Sequence, residues 1–445
     1  MPRTYLRVLL TFKTTKSVAR LIQPLQCALN DTAQQIPWLN GRVVTTESAA
    51  MKPSLELRWH SEDGSPTLHD LGSIPMSYDS AAADGMIPNA LPAGIWPLQD
   101  VDNVAFLKDG AQAFSTGIFR FGDGQGVGLT ICIHHNVTDA QGFTDLVRLW
   151  VSNLTGSGLR FSSDSRLDRL SKVLTSELTV ANDQSLEALF ARHAEYSQLP
   201  PSLPSEFPSC TSKLFAIPAA QAEASKKLLR NYTTKIHTTN TIICALIWST
   251  ITRIRNQRQP PASGNTRLAM AVNGRRCLGE DFSSPTNPYI GNIVLYSLAK
   301  LSKQDLNITQ QESIQNFARI CDTIAASNSR DKINCRHIAE TYSLITRVKD
   351  YQSIFIGWDP LAGHDLTITS WADVGLYDID FGPELGKPSF IRIPGAQADG
   401  VCIILPRKRL NRDDADKDIV EVLLMLRKDD METLEKDSIW KGITS

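Results

Sequence analysis

Apolar residues recur along the chain at two spacings, one typical of strands and one typical of helices. Alternation predicts a strand over residues 4–12, and helical spacing predicts a helix over residues 18–36. The clearest strand covers residues 127–134, where apolar side chains occupy every second position. An amphipathic helix follows, with apolar side chains three, four and seven positions after Phe143. The first part of the chain therefore alternates strands with helices.

A proline-rich segment, residues 199–208, interrupts this pattern with four prolines in ten residues. Because proline disfavours regular structure and favours extended backbone, we predict the crossover between two halves of the chain here. Beyond it, strands and helices alternate again, which predicts an α/β protein. In this second half the pattern predicts helices over residues 219–231, 239–256, 303–328, 336–348 and 429–438, and strands over 267–272, 292–298, 366–371, 389–393, 401–406 and 419–427.

The composition is that of an ordinary globular protein, with 445 residues, 42% apolar residues and 21% charged residues. Lys plus Arg number 46 and Asp plus Glu 47, so the absence of a basic excess argues against nucleic acid as the main partner. No apolar run reaches the length of a membrane span. Residues 1–12 have the pattern of a strand and not of a signal peptide, and the eight cysteines include no CxxC pair. We therefore expect a cytoplasmic protein with reduced thiols.

A loop of polar residues, His134 to Asp139, connects the clearest strand to the helix after it. An imidazole, with an ordinary pKa of about 6.5, is suited to removing a proton from an attacking hydroxyl or amine, and His135 has a carboxylate four positions on. The spacing alone is weak, since any histidine and aspartate four positions apart satisfy it. A surface loop in which Asp139 caps the helix is the alternative interpretation. His134 is the rival base, but it lacks the spacing and on a continuing strand points to the opposite side.

The string from Ile131 to Gly142, ICIHHNVTDAQG, resembles the HHxxxD motif of the BAHD acyltransferases and the wider family of coenzyme-A-dependent acyltransferases. Further segments follow in the order that this family has them, so the resemblance covers nearly the whole chain. These are Pro37–Arg42, Thr238–Trp248, Val272–Arg275, Tyr289–Asn292, Thr369–Trp371 and Asp380–Pro388, which resemble the family's PxLAGR segment, second-half helix, VDxR, YxGN, TSW and DFGWGKP. The details are most similar to the fungal secondary-metabolite branch, which includes the trichothecene 3-O-acetyltransferases.

The resemblance implies two similar-sized domains of mixed β-sheet flanked by helices, as in chloramphenicol acetyltransferase, with an active-site tunnel at their interface. We assign residues 1–190 to the N-terminal lobe, 191–215 to the crossover and 216–445 to the C-terminal lobe. The implied activity is that of an acyl-CoA-dependent O-acyltransferase, which transfers an acyl group directly to a hydroxyl of a secondary metabolite. The resemblance also implies a monomer. Acetyl is the expected acyl group, and acyl-CoA is a co-substrate, with no permanently bound cofactor.

The resemblance also implies roles for individual side chains. His135 is expected to be the general base. Asp139 is expected to point away from the substrate and to form a structural ion pair with Arg275. Thr369 and Trp371 would lie near the oxygen of the tetrahedral intermediate and donate hydrogen bonds to it. Core packing explains Trp371 equally well.

Other matched positions are expected to shape the fold or to meet the coenzyme. Asp380 and Gly382 are expected to be structural and remote from the reaction. Thr239 and Asn240 are candidate coenzyme contacts at the start of a predicted helix, although helix capping explains them equally well. Basic candidates for the coenzyme phosphates are Lys226, Lys227, Arg275, Arg276, Arg407, Lys408 and Arg409.

The chain departs from the family pattern in its last motif, which has two extra residues and lacks the tryptophan, and at Ala140, where the family usually has glycine. Two alternatives stay open. A condensation-type enzyme that takes acyl groups from carrier proteins also carries HHxxxD, and a catalytically silent binding protein could have the same fold. No metal site is predicted, because the remaining histidines show no ligand-like spacing; they are His60, His69, His193, His237, His337 and His364.

Overall fold

The computed structural model describes residues 3–48, 51–159, 166–258, 264–306, 313–361, 363–410 and 418–444. The strands in these ranges are β1 (Tyr5–Lys13), β2 (Arg42–Ser48), β3 (Met51–Arg58), β4 (Leu68–Ile74), β5 (Ala111–Gln112), β6 (Phe114–Phe121), β7 (Gly126–His134), β8 (Tyr196–Ser197), β9 (Cys210–Pro218), β10 (Asn265–Asn273), β11 (Val294–Ser302), β12 (Phe355–Ile356), β13 (Leu366–Ser370), β14 (Phe390–Arg392), β15 (Val401–Ile404) and β16 (Ile419–Arg427). The helices are α1 (Val18–Gln35), α2 (Tyr78–Ala83), α3 (Asn103–Asp109), α4 (Ala140–Thr155), α5 (Arg166–Asn182), α6 (Leu186–Arg192), α7 (Ala219–Leu229), α8 (Thr239–Arg258), α9 (Glu280–Ser283), α10 (Ser313–Ser327), α11 (Cys335–Arg347), α12 (Lys428–Lys436) and α13 (Ser438–Thr444). None of the helices in these ranges is both long and apolar enough to cross a membrane.

Two larger sheets organise the described part of the chain. The first contains five strands in the order β14-β1-β7-β6-β4, and the second contains six in the order β11-β10-β13-β15-β16-β9. In the first sheet β4 is parallel to β6, whereas β1, β6 and β7 pair antiparallel. In the second, β10, β13 and β15 are parallel and the outer strands pair antiparallel. Both sheets are therefore mixed, as the resemblance implies.

One strand of the first sheet comes from the second half of the sequence. β14, from the second half, pairs antiparallel with β1 and places Arg392 opposite Leu9. The buried guanidinium of Arg392 also binds Glu421 of β16 through two hydrogen bonds of 2.8 and 2.9 Å, which joins the first sheet to the second. β9 pairs with β16 and begins at Cys210, inside the segment assigned to the crossover. The division into residues 1–190, 191–215 and 216–445 stays a prediction. The sheets do not test it, because strands that are distant in sequence pair within one sheet.

β7, which carries the catalytic-loop candidate at its end, is buried along its whole length. On one side α1 and α4 pack together, and Nε1 of Trp150 donates to the carbonyl of Leu25 at 2.9 Å. On the other side the ring of Phe119 lies so close to Gly128 that a Cβ there would collide with it. Burial on both faces fixes the strand and, with it, the position of the loop that follows.

The prediction of one helix over residues 303–328 was wrong at its start. β11 continues to Ser302, residues 303–306 form a turn, and α10 begins at Ser313. Residues 307–312 lie outside the described ranges. Every second residue of β11 is buried as far as Leu301, so strand periodicity extends further than the helical pattern suggested.

Candidate active site

The loop between β7 and α4 is held by contacts from both halves of the chain. The backbone N–H of His135 donates to the carbonyl of Thr4 at 2.8 Å. The carbonyl of His135 in turn accepts a hydrogen bond of 2.9 Å from Nδ2 of Asn292. Because Thr4 directly precedes β1 and Asn292 lies two residues before β11, His135 lies where the two halves meet.

The imidazole of His135 is half-buried, and its two nitrogens differ in environment. Nδ1 is fully enclosed and makes no hydrogen bond. Nε2 differs from it, because Nε2 does not combine full enclosure with the lack of a partner. Burial lowers the pKa of His135 from its ordinary value by more than the nearby charge of Asp139 raises it. The ring is therefore neutral at neutral pH, which is the state in which a ring nitrogen can accept a proton.

His134, the rival base, is a core residue. It is fully buried, and its ring stacks on Phe106 with the centroids 6.1 Å apart and meets Tyr5 edge-on at 5.4 Å. Burial lowers the pKa of His134 to about 4. Two neighbouring histidines thus occupy different environments, and these contacts favour His135 over His134 as the reactive one.

Asp139 makes both of the contacts that the sequence left as alternatives. One carboxylate oxygen accepts from the N–H of Gly142 at 3.0 Å and so caps α4. The other accepts from Nη1 of Arg275 at 2.9 Å and from the N–H of Ile293 at 2.8 Å. The buried carboxylate is therefore fully engaged in holding the loop against the second half of the chain.

Arg275 completes this arrangement, which we call the Asp139–Arg275 clamp. The guanidinium is 1% exposed and donates to the carbonyls of Tyr289 and Gly291 and to Oδ1 of Asn273, in addition to Asp139. All of its donors point to acceptors, so both buried charges are compensated. Removing one partner of such a pair typically costs about 3–5 kcal/mol, because the other charge is left buried and alone.

Gly142 is a residue of this site that the sequence reasoning missed. A Cβ at this position would collide with Oγ1 of Thr138 and lie 3.2 Å from Nη2 of Arg275. A glycine three residues into a helix was the available signal, since glycine inside a helix costs roughly 1 kcal/mol relative to alanine and needs a compensating reason. The reason here is the close approach of the clamp to the first turn of α4.

Thr369 lies near the end of β13 in the second sheet, and Trp371 directly follows that strand. Trp371 is 4% exposed, and its ring meets Phe143 of α4 edge-on with the centroids 5.9 Å apart. This contact agrees with core packing and brings the tryptophan against the helix that follows the His135 loop. Thr369 is half-buried on the same face of β13 as Thr367. Their roles as hydrogen-bond donors to the intermediate stay predictions.

The turn from Asp380 to Gly386 attaches to the first sheet. Asp380 is exposed, and its carboxylate accepts from the N–H of Gly382, which has a φ of +82°. The ring of Phe381 packs edge-on against Phe12 of β1 at 5.0 Å. These contacts are within the fold and agree with a structural role for Asp380 and Gly382.

The lengthened part of this motif, residues 383–385, contains Glu384, which binds basic residues of the N-terminal half. Its carboxylate lies 2.7 Å from Nη2 of Arg20 and 3.6 Å from Nζ of Lys16. The backbone carbonyl of Glu384 also accepts from Oγ1 of Thr14 at 3.4 Å. The insertion therefore extends the attachment of this turn to the segment between β1 and α1.

Thr239 and Asn240 lie at the start of α8, but neither caps the helix. The cap is Thr238, whose Oγ1 accepts from the N–H of Thr241 at 3.1 Å. Oγ1 of Thr239 accepts from Nζ of Lys226 at 2.8 Å, and Oδ1 of Asn240 is buried without a partner. Capping no longer explains either residue, and their contact with a coenzyme stays a prediction.

Most of the basic candidates already have acidic partners, and one faces a cavity. The pairs are Lys226 with Glu223, Arg275 with Asp139, Arg407 with Asp418 and Arg409 with Asp373. Arg276 instead lines a cavity of about 790 Å³, together with Asn273 and Arg330. Since Asn273 also contacts Arg275, this cavity begins beside the clamp.

The family model of the Transferase family matches residues 98–439. A trichothecene 8-O-acetyltransferase of Fusarium sporotrichioides is 30% identical over 70% of this chain and 68% of its own length. The O-acetyltransferase ptmV of Penicillium ochrochloron is 23% identical over 100% of this chain and 94% of its own length.

Solved structures with the same fold have lower sequence identity. TRI101 of F. sporotrichioides complexed with coenzyme A and T-2 matches with a TM-score of 0.79 at 18% identity, over 100% of this chain and 96% of that chain. Vinorine synthase matches with a TM-score of 0.63 at 16% identity, over 99% and 91%. The first condensation domain of the CDA synthetase matches with a TM-score of 0.54 at 14% identity, over 98% and 89%. The expected fold class is confirmed, and the match of the family model over most of the sequence shows that this chain belongs to the Transferase family, a family of acyltransferases.

Proposed function

We propose that this protein is an acyl-CoA-dependent O-acyltransferase that transfers an acetyl group to a hydroxyl of a secondary metabolite. The similar proteins of F. sporotrichioides and P. ochrochloron are both named as O-acetyltransferases. The TRI101 structure that shares the fold was solved with coenzyme A and T-2. Because the chain keeps a histidine and an aspartate in a loop of intact geometry, an active enzyme is favoured over a silent binding protein.

The environment of His135 carries this proposal. Its ring is neutral because burial lowers its pKa, and its backbone is fixed from both halves of the chain. A general base must be unprotonated and held in place before the acceptor arrives, and His135 meets both conditions.

In the proposed reaction, His135 takes the proton of the acceptor hydroxyl while that oxygen attacks the thioester carbonyl of acetyl-CoA. A C–O bond forms, and the carbonyl electrons move onto the oxygen of a tetrahedral intermediate. The C–S bond then breaks, the carbonyl re-forms, and the coenzyme leaves as a thiolate that takes the proton back from His135. The acetyl ester and free coenzyme A are the products, with no acyl-enzyme.

Asp139 has a structural part in this scheme. Its oxygens are occupied by Gly142, Arg275 and Ile293, so neither is free to receive a proton from substrate. It sets the position of the loop and adds a negative charge near the imidazole, which stabilises the protonated ring during the reaction.

The oxyanion of the intermediate needs hydrogen-bond donors that are in place before it forms. We assign this role to the hydroxyl of Thr369 and the indole N–H of Trp371. The contact of Trp371 with Phe143 supports the assignment, because it brings the end of β13 against the helix after the His135 loop.

The coenzyme has two candidate contact regions. Thr239 and Asn240 begin α8, where the buried Oδ1 of Asn240 has no partner within the protein. Arg276 and Arg330 line the cavity beside the clamp and offer positive charge to phosphates. We propose that the protein acts as a monomer in the cytoplasm, in keeping with its eight free cysteines.

The test is release of free thiol from acetyl-CoA in the presence of a panel of hydroxylated sesquiterpenoids. The wild-type protein should release coenzyme A only when an acceptor is present. His135→Ala should reduce the rate by about 10²- to 10⁴-fold, the usual contribution of a general base. The exposed His69 on β4 offers a matched control, and His69→Ala should keep the full rate.

Two outcomes would overturn this function. Thiol release at the full rate in His135→Ala would remove the general base. Transfer only from an acylated carrier protein, and not from acetyl-CoA, would favour the condensation-type enzyme.

A further inference from the structure

A buried cluster of two histidines and two glutamates lies on elements that do not form the His135 loop. His193 and Glu195 lie between α6 and β8, and His337 and Glu340 lie on α11. His193, Glu195 and Glu340 are 2%, 6% and 3% exposed, and His337 is half-buried. We call these four residues the imidazole cluster. The cluster joins two segments that are distant in sequence, since His193 and Glu340 differ by 147 in residue number.

Three atoms of the imidazole cluster converge in the way that metal ligands do. Oε1 of Glu195 lies 3.0 Å from Nδ1 of His193 and 3.1 Å from Nε2 of His337. One ligand atom from each of the three residues lies within 4.8 Å of the other two. Imidazole nitrogens and carboxylate oxygens bind Zn²⁺ at about 2.0–2.2 Å, which places ligand atoms around one ion roughly 3–3.5 Å apart. Only small movements separate this geometry from a coordination shell.

Glu340 fixes the orientation of the His193 ring. Nε2 of His193 lies 2.9 Å from a carboxylate oxygen of Glu340. Arg336, at 2.8 Å, and Arg192, at 3.3 Å, bind the same carboxylate and compensate its charge. A carboxylate only accepts hydrogen bonds, so in the metal-free protein both ring nitrogens of His193 donate, Nε2 to Glu340 and Nδ1 to Glu195. A metal ion would take the place of the proton on Nδ1 and leave the hydrogen bond from Nε2 to Glu340 in place. A carboxylate behind a histidine is the usual partner of a metal-binding imidazole.

Glu195 differs from Glu340 in the residues that compensate its negative charge. Among the described residues, the ion-pair partners of Glu195 are His193 and His337, with no arginine or lysine. A buried carboxylate needs a positive partner, and in this cluster either a protonated imidazole or a metal ion can supply it. A divalent ion held by Glu195 and the two imidazoles would supply that charge at the point where the three side chains meet.

We propose that His193, Glu195 and His337 bind one divalent transition-metal ion of the Zn²⁺ type, with Glu340 as the orienting partner of His193. The ion ties the segment after α6 to α11, and its fourth ligand is water. The backbone at Glu195 is held separately, since the N–H of Gly357, directly after β12, donates to its carbonyl at 2.9 Å. The site is independent of the proposed acyl transfer and differs from the sequence-based expectation of no metal.

The experiment is a zinc titration of the full-length protein after chelator treatment, in competition with a chromophoric chelator. We expect one ion per chain and a higher Tm with zinc. Glu340→Gln should weaken zinc binding by about 10- to 100-fold, the usual effect of losing an orienting carboxylate. His337→Gln, at the half-buried ligand, should weaken it at least as much. Co²⁺ in place of zinc should give the visible absorption of a four-coordinate ion, and His337→Gln should remove it.

His69→Ala is the matched control, because it removes an exposed histidine and should leave one zinc per chain. Zinc binding with the same affinity in His337→Gln and the wild-type protein would mean an adventitious ion only and would overturn the proposal. A Tm that does not respond to zinc would also overturn it, and would leave a proton within the imidazole cluster as the compensating charge. Because His193→Ala removes a core residue and could prevent folding, the two glutamine variants, checked by circular dichroism, carry the test.

Discussion

The Asp139–Arg275 clamp and the imidazole cluster both join distant segments through a buried carboxylate, but they satisfy its charge differently. In the clamp, Asp139 meets a guanidinium whose donors all reach oxygen atoms. In the imidazole cluster, the ion-pair partners of Glu195 within the described ranges are both imidazoles. The first arrangement is complete within the protein, whereas the second needs a proton or a metal ion. The clamp is therefore a structural ion pair, whereas the imidazole cluster is a site that can bind a ligand.

The largest expected effect is the loss of one partner from the clamp. Asp139→Ala leaves the buried Arg275 without its counter-ion, so the free energy of unfolding should fall by about 3–5 kcal/mol. Urea denaturation of the two proteins measures the difference. Thiol release should fall as well, because the loop loses its position. A loss below 1 kcal/mol would mean that the clamp contributes little to stability, and would contradict its description as a compensated buried ion pair.

Gly142→Ala perturbs the same clamp without changing its charge. The added methyl group collides with Thr138, and overpacking of this kind typically costs about 1–3 kcal/mol. The free energy of unfolding should fall by that amount, as measured in urea. Gly442→Ala is the matched control, because Gly442 lies in open space and the change should be nearly neutral. Gly156→Ala would not serve, because Gly156 has a φ of +69°. Equal stabilities of Gly142→Ala and Gly442→Ala would contradict the close approach.

The smallest expected effect is in the imidazole cluster without metal. Glu195→Gln removes the charge but keeps an amide oxygen that can accept a hydrogen bond, so metal-free stability should fall by only about 1 kcal/mol. Thermal unfolding in excess chelator measures this change. The same variant should lose the increase in Tm that zinc gives to the wild-type protein. A metal-free loss as large as that of Asp139→Ala would show that the two buried carboxylates do not differ.

Local patterns predicted the elements of the site but few of its contacts. Alternation identified the strand before His135, and the apolar spacing after Phe143 identified α4, because both are periodic in the sequence. The pairing of Asp139 with Arg275 came from the resemblance to a family, and the structure contains that ion pair. Periodicity could not have supplied it, since 136 positions separate the two residues.

Most of the contacts that the sequence did not predict are long-range. β14 adds to the first sheet from the second half of the chain, and Glu384 binds Arg20 through an insertion that the motif did not explain. His193 and His337 showed no ligand-like spacing because folding alone brings them together. Pairings of this kind depend on tertiary packing, and a single sequence carries no local signal for them.

The pH dependence of thiol release in the wild-type protein and in His135→Ala tests the central claim, that His135 is the general base. Because burial lowers the pKa of His135, kcat/KM should rise with pH through a value below the ordinary value of about 6.5 and be level at neutral pH. His135→Ala should keep its Tm, lose that rise and fall by about 10²- to 10⁴-fold at pH 7. A variant with the same pH profile and the full rate would contradict the account.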